Sequence, residues 1–137
     1  LEYEVLARQS DLKDPLTGES RRINDDVVIG GFFELRYDIP NTDWAAGLGG
    51  ERFDNAPFVR LNERQLFELR PGYLFAYLEH KDIYGLIGRV ELFNLTDSEE
   101  QFTREVYAPR RDGALAFSED RDWKAGPILT LSLKGTF

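Results

Sequence analysis

The chain has 137 residues, a formal net charge of −8 and a pI near 4.7, with 42% hydrophobic and 31% charged residues. That is one domain's worth of chain, too apolar for a disordered tail, and its acidic balance excludes the basic stripe that a nucleic-acid partner requires. Without cysteine there is no disulfide framework and no thiolate metal site, and no apolar run reaches the ~18 residues of a membrane helix, a criterion that says nothing of barrel strands, which are short and alternate in polarity.

Period-2 alternation, the mark of a strand with two different faces, recurs along the chain. Residues 1–9 set Leu1, Tyr3, Val5 and Ala7 against Glu2, Glu4, Leu6 and Arg8. Residues 32–40 set Phe33, Leu35, Tyr37 and Ile39 against Glu34, Arg36 and Asp38. Residues 44–53 are Gly-rich and alternate less cleanly. Residues 64–80 form a long segment with Phe67, Leu69, Tyr73, Phe75 and Tyr77 along one side; Pro71-Gly72 inside it predicts a bulge or break. Residues 85–95 set Leu86, Gly88, Val90 and Leu92 against Ile87, Arg89, Glu91 and Phe93. Residues 129–137 set Leu129, Leu131, Leu133, Gly135 and Phe137 against Thr130, Ser132, Lys134 and Thr136. Helical spacing is confined to residues 99–106, which read as one turn of helix. The predicted fold class is all-β: an antiparallel up-and-down meander of about six strands, with residues 1–137 as one unit.

The connections alternate in length. Residues 40–44 and 81–84 make tight turns, whereas the stretch after the first segment, the one around Asn55-Ala56-Pro57 and residues 96–126 are longer. A meander then has short turns at one end and long loops at the other, the asymmetry of outer-membrane barrels. With the C-terminus at the short-turn end, both tight turns fall there too. On this reading Phe33, Leu35, Tyr37, Leu86, Val90, Leu92, Leu129, Leu131, Leu133 and Phe137 face lipid. Glu2, Glu4, Glu34, Arg36, Asp38, Glu68, Arg70, Arg89, Glu91 and Lys134 line the lumen, where mixed signs predict cross-strand ion pairs. Phe137, Trp44, Tyr37 and Tyr84 form an interfacial aromatic belt. Six strands are fewer than the ~8 of the smallest membrane barrels, so the chain is expected to be an arc. Its partners are then the remainder of the barrel, or further copies of the same chain, together with membrane lipid. The absence of methionine and of a signal peptide predicts a processed or excised piece. The same alternation suits a second reading: a soluble or secreted β-sheet domain that binds a partner or self-assembles through exposed strand edges.

The last third carries a resemblance. Phe93-Asn94-Leu95 followed by Asp97, then Arg104, Tyr107 and Arg110 through the last loop, Gly126 opening the final strand, and Gly135-Thr136-Phe137 at the end together resemble the C-terminus of TonB-dependent outer-membrane receptors. Residues 11–24 look like an extracellular loop of the alphaproteobacterial-type members. The resemblance implies a bacterial outer-membrane location and a barrel of roughly 22 strands filled by a plug. It implies uptake of a scarce ligand driven by the TonB complex, which would be reached only through a plug that these residues do not contain. It also implies a terminal strand read by the barrel-assembly machinery, with no catalysis and no cofactor.

Few residues suggest other chemistry. His80 stands alone beside a turn, and no nucleophile–base arrangement is readable. Asp11, Asp14 and Glu19 offer oxygen ligands for calcium but lack EF-hand spacing. Asn94-Leu95-Thr96 matches a glycosylation sequon, discounted at the end of a strand. Arg104, Arg110, Arg111 and Arg121 in the last loop are candidate contacts for an anionic ligand or lipopolysaccharide phosphate, and Tyr107 is a further candidate ligand or surface contact there. The competing reading pairs Arg104, Arg110, Arg111 and Arg121 with Glu99, Glu100, Glu119 and Asp120 of the same loop.

Overall fold

The computed structural model describes residues 1–135; Phe137 of the expected lipid-facing set lies outside them. The described residues contain no helix. The strands in chain order are β1 (Glu2–Ala7), β2 (Leu12–Lys13), β3 (Ser20–Arg21), β4 (Val27–Asp38), β5 (Trp44–Asn55), β6 (Phe58–Val59), β7 (Glu63–Arg70), β8 (Tyr73–Ile83), β9 (Leu86–Phe93), β10 (Glu99–Ala108), β11 (Ala114–Lys124) and β12 (Ile128–Lys134). Six of them form one antiparallel sheet in the order β1-β4-β5-β8-β9-β12. This is the all-β, up-and-down meander that the alternation predicts.

A second, four-stranded sheet has the order β11-β10-β7-β6. β6 follows β5, β7 leads into β8, β10 follows β9 and β11 leads into β12. The neighbour order of the second sheet therefore repeats that of β5, β8, β9 and β12, and four strands of the meander continue past a common joint. β2 and β3 make a separate small hairpin after β1.

Two sequence expectations are corrected here. Residues 99–106 are not a helical turn but part of β10, laddered to β7 on one side and β11 on the other. Residues 96–126 are not a long loop but mainly the β10–β11 hairpin. The break expected at Pro71-Gly72 is present: it divides β7 from β8, which lie in different sheets.

The joint is built from polar groups. Asn94 is fully buried with φ +58°. Its Nδ2 donates to the Gly126 carbonyl at 3.0 Å, and its Oδ1 accepts from the Ser98 amide at 2.8 Å. Thr96 Oγ1 donates to the Gly72 carbonyl at 2.6 Å. The breaks between β7 and β8, β9 and β10, and β11 and β12 are thereby tied at one level. Gly72 has φ +124°, and a Cβ there would sit 2.9 Å from the Glu51 carbonyl oxygen, so only glycine lets the chain pass so close to β5. With its amide occupied, Asn94 is closed to glycosylation in the folded state.

The glycines of β5 answer to its neighbour. A Cβ on Gly47 would lie 2.1 Å from the Tyr77 ring, and one on Gly49 would lie 2.3 Å from the Phe75 ring. The rings of β8 lie across the bare backbone of β5, which is why that strand alternates poorly. Among the described residues the buried hydrophobic side chains are Ala45, Ala56 and Tyr77 alone. The sheet does not wrap a conventional core.

Candidate functional site

Cross-strand register sorts the six-stranded sheet into two faces, because directly opposed residues share a side. One face carries Tyr3, Val5, Phe33, Leu35, Tyr37, Leu48, Leu78, Val90 and Leu92, with Leu129, Leu131 and Leu133. All of these are exposed, Leu129, Leu131 and Leu133 by 61%, 72% and 69%. The second sheet does not cover them.

The opposite face carries Glu2, Glu4, Glu34, Arg36 and Asp38, then Tyr77, Glu79, Arg89, Glu91, Thr130, Ser132 and Lys134. Their side chains form a ladder. Tyr77 donates its hydroxyl to Glu34 Oε1 at 2.7 Å, and the Arg89 guanidinium lies 3.5 Å from the Tyr77 ring centroid. Arg89 Nε donates to Glu91 at 2.9 Å. Arg36 pairs with Glu79 at 2.6 Å, and Lys81 pairs with Asp38 at 2.6 Å. Tyr77, buried beneath this ladder, anchors charges drawn from β4, β8 and β9. Lys134 lies at the end of β12 without an ion pair among the described residues.

Above the joint the leucine face turns polar, and the opposite face mixes aromatic with charged side chains. β7, β10 and β11 present Phe67, Phe102, Arg104, Phe117 and Trp123 on one side, joined by Phe58 of β6. Tyr73 donates its hydroxyl to Glu100, and Tyr73 lies on the charged face of β8 while Glu100 lies on the aromatic face of β10. The aromatic face therefore continues the charged face. The other side of the extension carries Arg64, Glu68, Arg70, Glu99, Gln101, Asp120, Asp122 and Lys124 and continues the leucine face. Glu68 and Arg70 are accordingly corrected: they share the side of the leucines and not that of Glu34 and Arg36, because alternation is preserved through Pro71-Gly72 and sets them with Leu74 and Leu78. Phe67 packs on Trp123 with centroids 5.9 Å apart.

The candidate contacts of the last hairpin are engaged within the chain. Arg104 donates two bonds, 2.9 and 2.6 Å, to the Glu63 carboxylate. Arg111 meets Asp14 at 2.6 Å. Tyr107 donates to Glu105 at 3.0 Å. Arg110 stays exposed, 3.7 Å from Asp112. Arg121 pairs with Glu119 inside the hairpin, whereas Arg104 and Arg111 reach carboxylates of other connections. Pairing thus prevails, with partners that sequence proximity does not suggest.

Asp14 is buried and accepts from Arg21 at 2.7 Å, from Arg111 at 2.6 Å, and from the Leu16 and Thr17 amides at 2.9 and 3.1 Å. Burial raises its pKa, but the Leu16 amide, Arg111, Arg21 and the Thr17 amide outweigh it and hold the carboxyl well below the usual carboxylate range. The two guanidiniums take Asp14 Oδ2 and the two amides take Oδ1, so the Asp11, Asp14 and Glu19 calcium reading does not fit this arrangement. Arg104 likewise holds the Glu63 carboxyl below its ordinary value.

At the short-turn end Tyr84 projects fully into solvent and Trp44 packs edge-on against His80 at 4.6 Å. His80 Nδ1 accepts from the Asp82 amide at 3.3 Å, a turn-closing role. Phe58, Phe102, Phe117 and Trp123 escape the sequence reading, although the period-2 spacing of Glu100, Phe102, Arg104 and Val106 is a signal for them. Comparison of the chain with family models, with curated proteins and with solved structures yields no match.

Proposed function

We infer that this chain is the C-terminal part of the wall of a bacterial outer-membrane β-barrel that admits a scarce ligand, as the likeness of residues 89–137 to TonB-dependent receptors implies. The observation that carries the reading is the change of the leucine face from apolar to charged at the joint. Below it, the leucine face is continuous, apolar and uncovered, and the opposite face is a hydrogen-bonded charge ladder. Above it, the leucine face gives way to Arg64, Glu68, Arg70, Glu99 and Lys124. A hydrocarbon layer asks for apolar residues on the outer wall over its own thickness and charged ones beyond it. A soluble sheet instead keeps one apolar face covered along its whole length.

The two edges, β1 and β12, then pair with the remainder of the barrel, since an open edge has no partner in lipid. The plug and the TonB complex enter through that remainder.

The chain lacks cysteine, so single cysteines introduced along residues 129–134 can each carry a spin label, in the full polypeptide and in isolated outer membranes. Labels at 129, 131 and 133 are expected to collide with oxygen and to be shielded from a water-soluble nickel chelate, and those at 130, 132 and 134 to show the reverse. Uniform chelate access, or immobilised labels at 129, 131 and 133, removes the membrane reading and favours the soluble one.

A further inference from the structure

The aromatic side of the extension contains a cavity of about 350 Å3, within the roughly 300–1,000 Å3 of small-ligand sites. Its apolar wall is Phe58, Phe67 and Phe102, side by side on one face of β6, β7 and β10. Its polar rim is Asp25, Asn55, Gln65 and Arg60. Trp123 extends the ring surface beyond Phe67.

We propose that this cavity is a binding site for a neutral saccharide. The inference rests on the proposed transport function for its physiological sense and adds the chemical class of the ligand. The first argument is shape and surface. Pyranose rings have apolar C–H faces that lie on aromatic rings, and Phe67 and Trp123 remain 45% and 42% exposed on this face. The second is hydrogen-bonding capacity. Each sugar hydroxyl donates and accepts, and the rim offers a carboxylate that only accepts, an arginine that only donates and two amides that do both. The Asp25 and Asn55 side chains have no side-chain partner among the described residues, so they are available to a ligand.

The third argument is charge. Asp25 and Arg60 cancel at the rim, and Arg60 is already drawn to Glu63 at 3.1 Å while lying 5.0 Å over the Phe58 ring. Arg104 and Arg121 on the same face each hold a carboxylate. An anionic ligand meets Asp25 with no free arginine to offset it. A neutral polyhydroxyl compound avoids that repulsion.

The test is calorimetric titration of the full polypeptide in detergent with neutral hexasaccharides of glucose, xylose, mannose and N-acetylglucosamine, and with an anionic oligogalacturonate. At least one neutral saccharide is expected to bind saturably, and the galacturonate more weakly. Phe67→Ala and Asp25→Asn are each expected to weaken binding about tenfold, the effect of losing one good contact. Asparagine tolerates the positive φ at position 25, and unchanged heat-modifiable migration on gels will show that both variants fold. No binding by any of the four neutral saccharides, tighter binding of the galacturonate, or affinity indifferent to both substitutions overturns the proposal. Because the titration needs no lipid orientation, a saccharide bound by a protein whose residues 129–134 fail the spin-label test keeps the site and removes only the membrane wall. Alternating labels without binding do the opposite.

Discussion

Asp14 and Arg111 stand 97 positions apart in sequence and meet at 2.6 Å, closing the first long connection against the last. Arg111 also reaches the Arg60 carbonyl, and Asn24 exchanges two bonds with the Val59 backbone, 2.9 and 3.1 Å. All three long connections are thus latched together at one end of the sheet. Asp14→Ala leaves two guanidiniums facing each other without their counter-charge. Removing one member of a fully buried pair costs about 3–5 kcal/mol; Arg21 and Arg111 keep some solvent contact, so about 2–3 kcal/mol is expected, read as faster proteolysis in residues 8–26.

The same carboxyl sets an acid limit. Its folded pKa lies below that of the unfolded chain, near ~3.9, so its contribution is complete above that value and is lost as pH falls towards the folded pKa. Protease resistance of residues 8–26 is expected to hold from pH 7 to 5 and to decline below about pH 4. In Asp14→Asn the acid-dependent part of that decline disappears. A wild-type decline centred near pH 6 would locate the latch in another group.

Asn94 offers a sharper test of the joint. It supplies a donor to Gly126, an acceptor to Ser98 and a positive φ. Asn94→Ala leaves the buried Ser98 amide and Gly126 carbonyl unpaired and strains the backbone, for a combined cost of about 2–4 kcal/mol. Asn94→Gly relieves the φ but not the lost bonds. The temperature at which the folded gel band disappears is therefore expected to fall in both variants, and further in the alanine one.

The six-stranded meander was legible in the sequence, and its continuation was not. Leu129, Leu131 and Leu133 alternate with Thr130, Ser132 and Lys134 because one environment is apolar and the other polar, and period 2 survives any fold that separates them. In β10 both faces carry charge, and Phe102 and Val106 lie one helical turn apart among residues that favour helices. The ladders to β7 and β11 override that local preference. Pro71-Gly72 marks a break correctly, but not that β7 leaves one sheet for another. The Asp14–Arg111 and Glu63–Arg104 pairs are invisible to sequence proximity because register, not spacing, brings them together.

The stacking of Tyr77 on Gly47 predicts a reciprocal pair of substitutions. Gly47→Ala drives a methyl into a ring that is 5% exposed and held by Glu34 and Arg89. Overpacking of this kind costs about 1–3 kcal/mol. Adding Tyr77→Ala removes the clash, so the second substitution is expected to cost less in the Gly47→Ala background than alone. A double-mutant cycle on urea unfolding measures the difference; strict additivity would mean that the ring does not rest on Gly47.

Lysine at two adjacent positions of β12 separates the faces of the wall. Thr130 stands opposite Glu91 on the charged face, and Leu131 stands opposite Val90 on the leucine face. Thr130→Lys places an ammonium beside a carboxylate and is expected to change stability by no more than about 0.5 kcal/mol. On the proposed membrane reading Leu131→Lys places the same group against hydrocarbon, which costs about 2–4 kcal/mol in the middle of a bilayer. Urea midpoints of the full polypeptide in lipid vesicles are expected to drop for the second variant alone. Because the two residues are neighbours in one strand, their position along β12 and the residue introduced are matched. The difference reports which solvent each face meets. Equal midpoints would place Leu131 in water and return the leucine face to a surface for protein association.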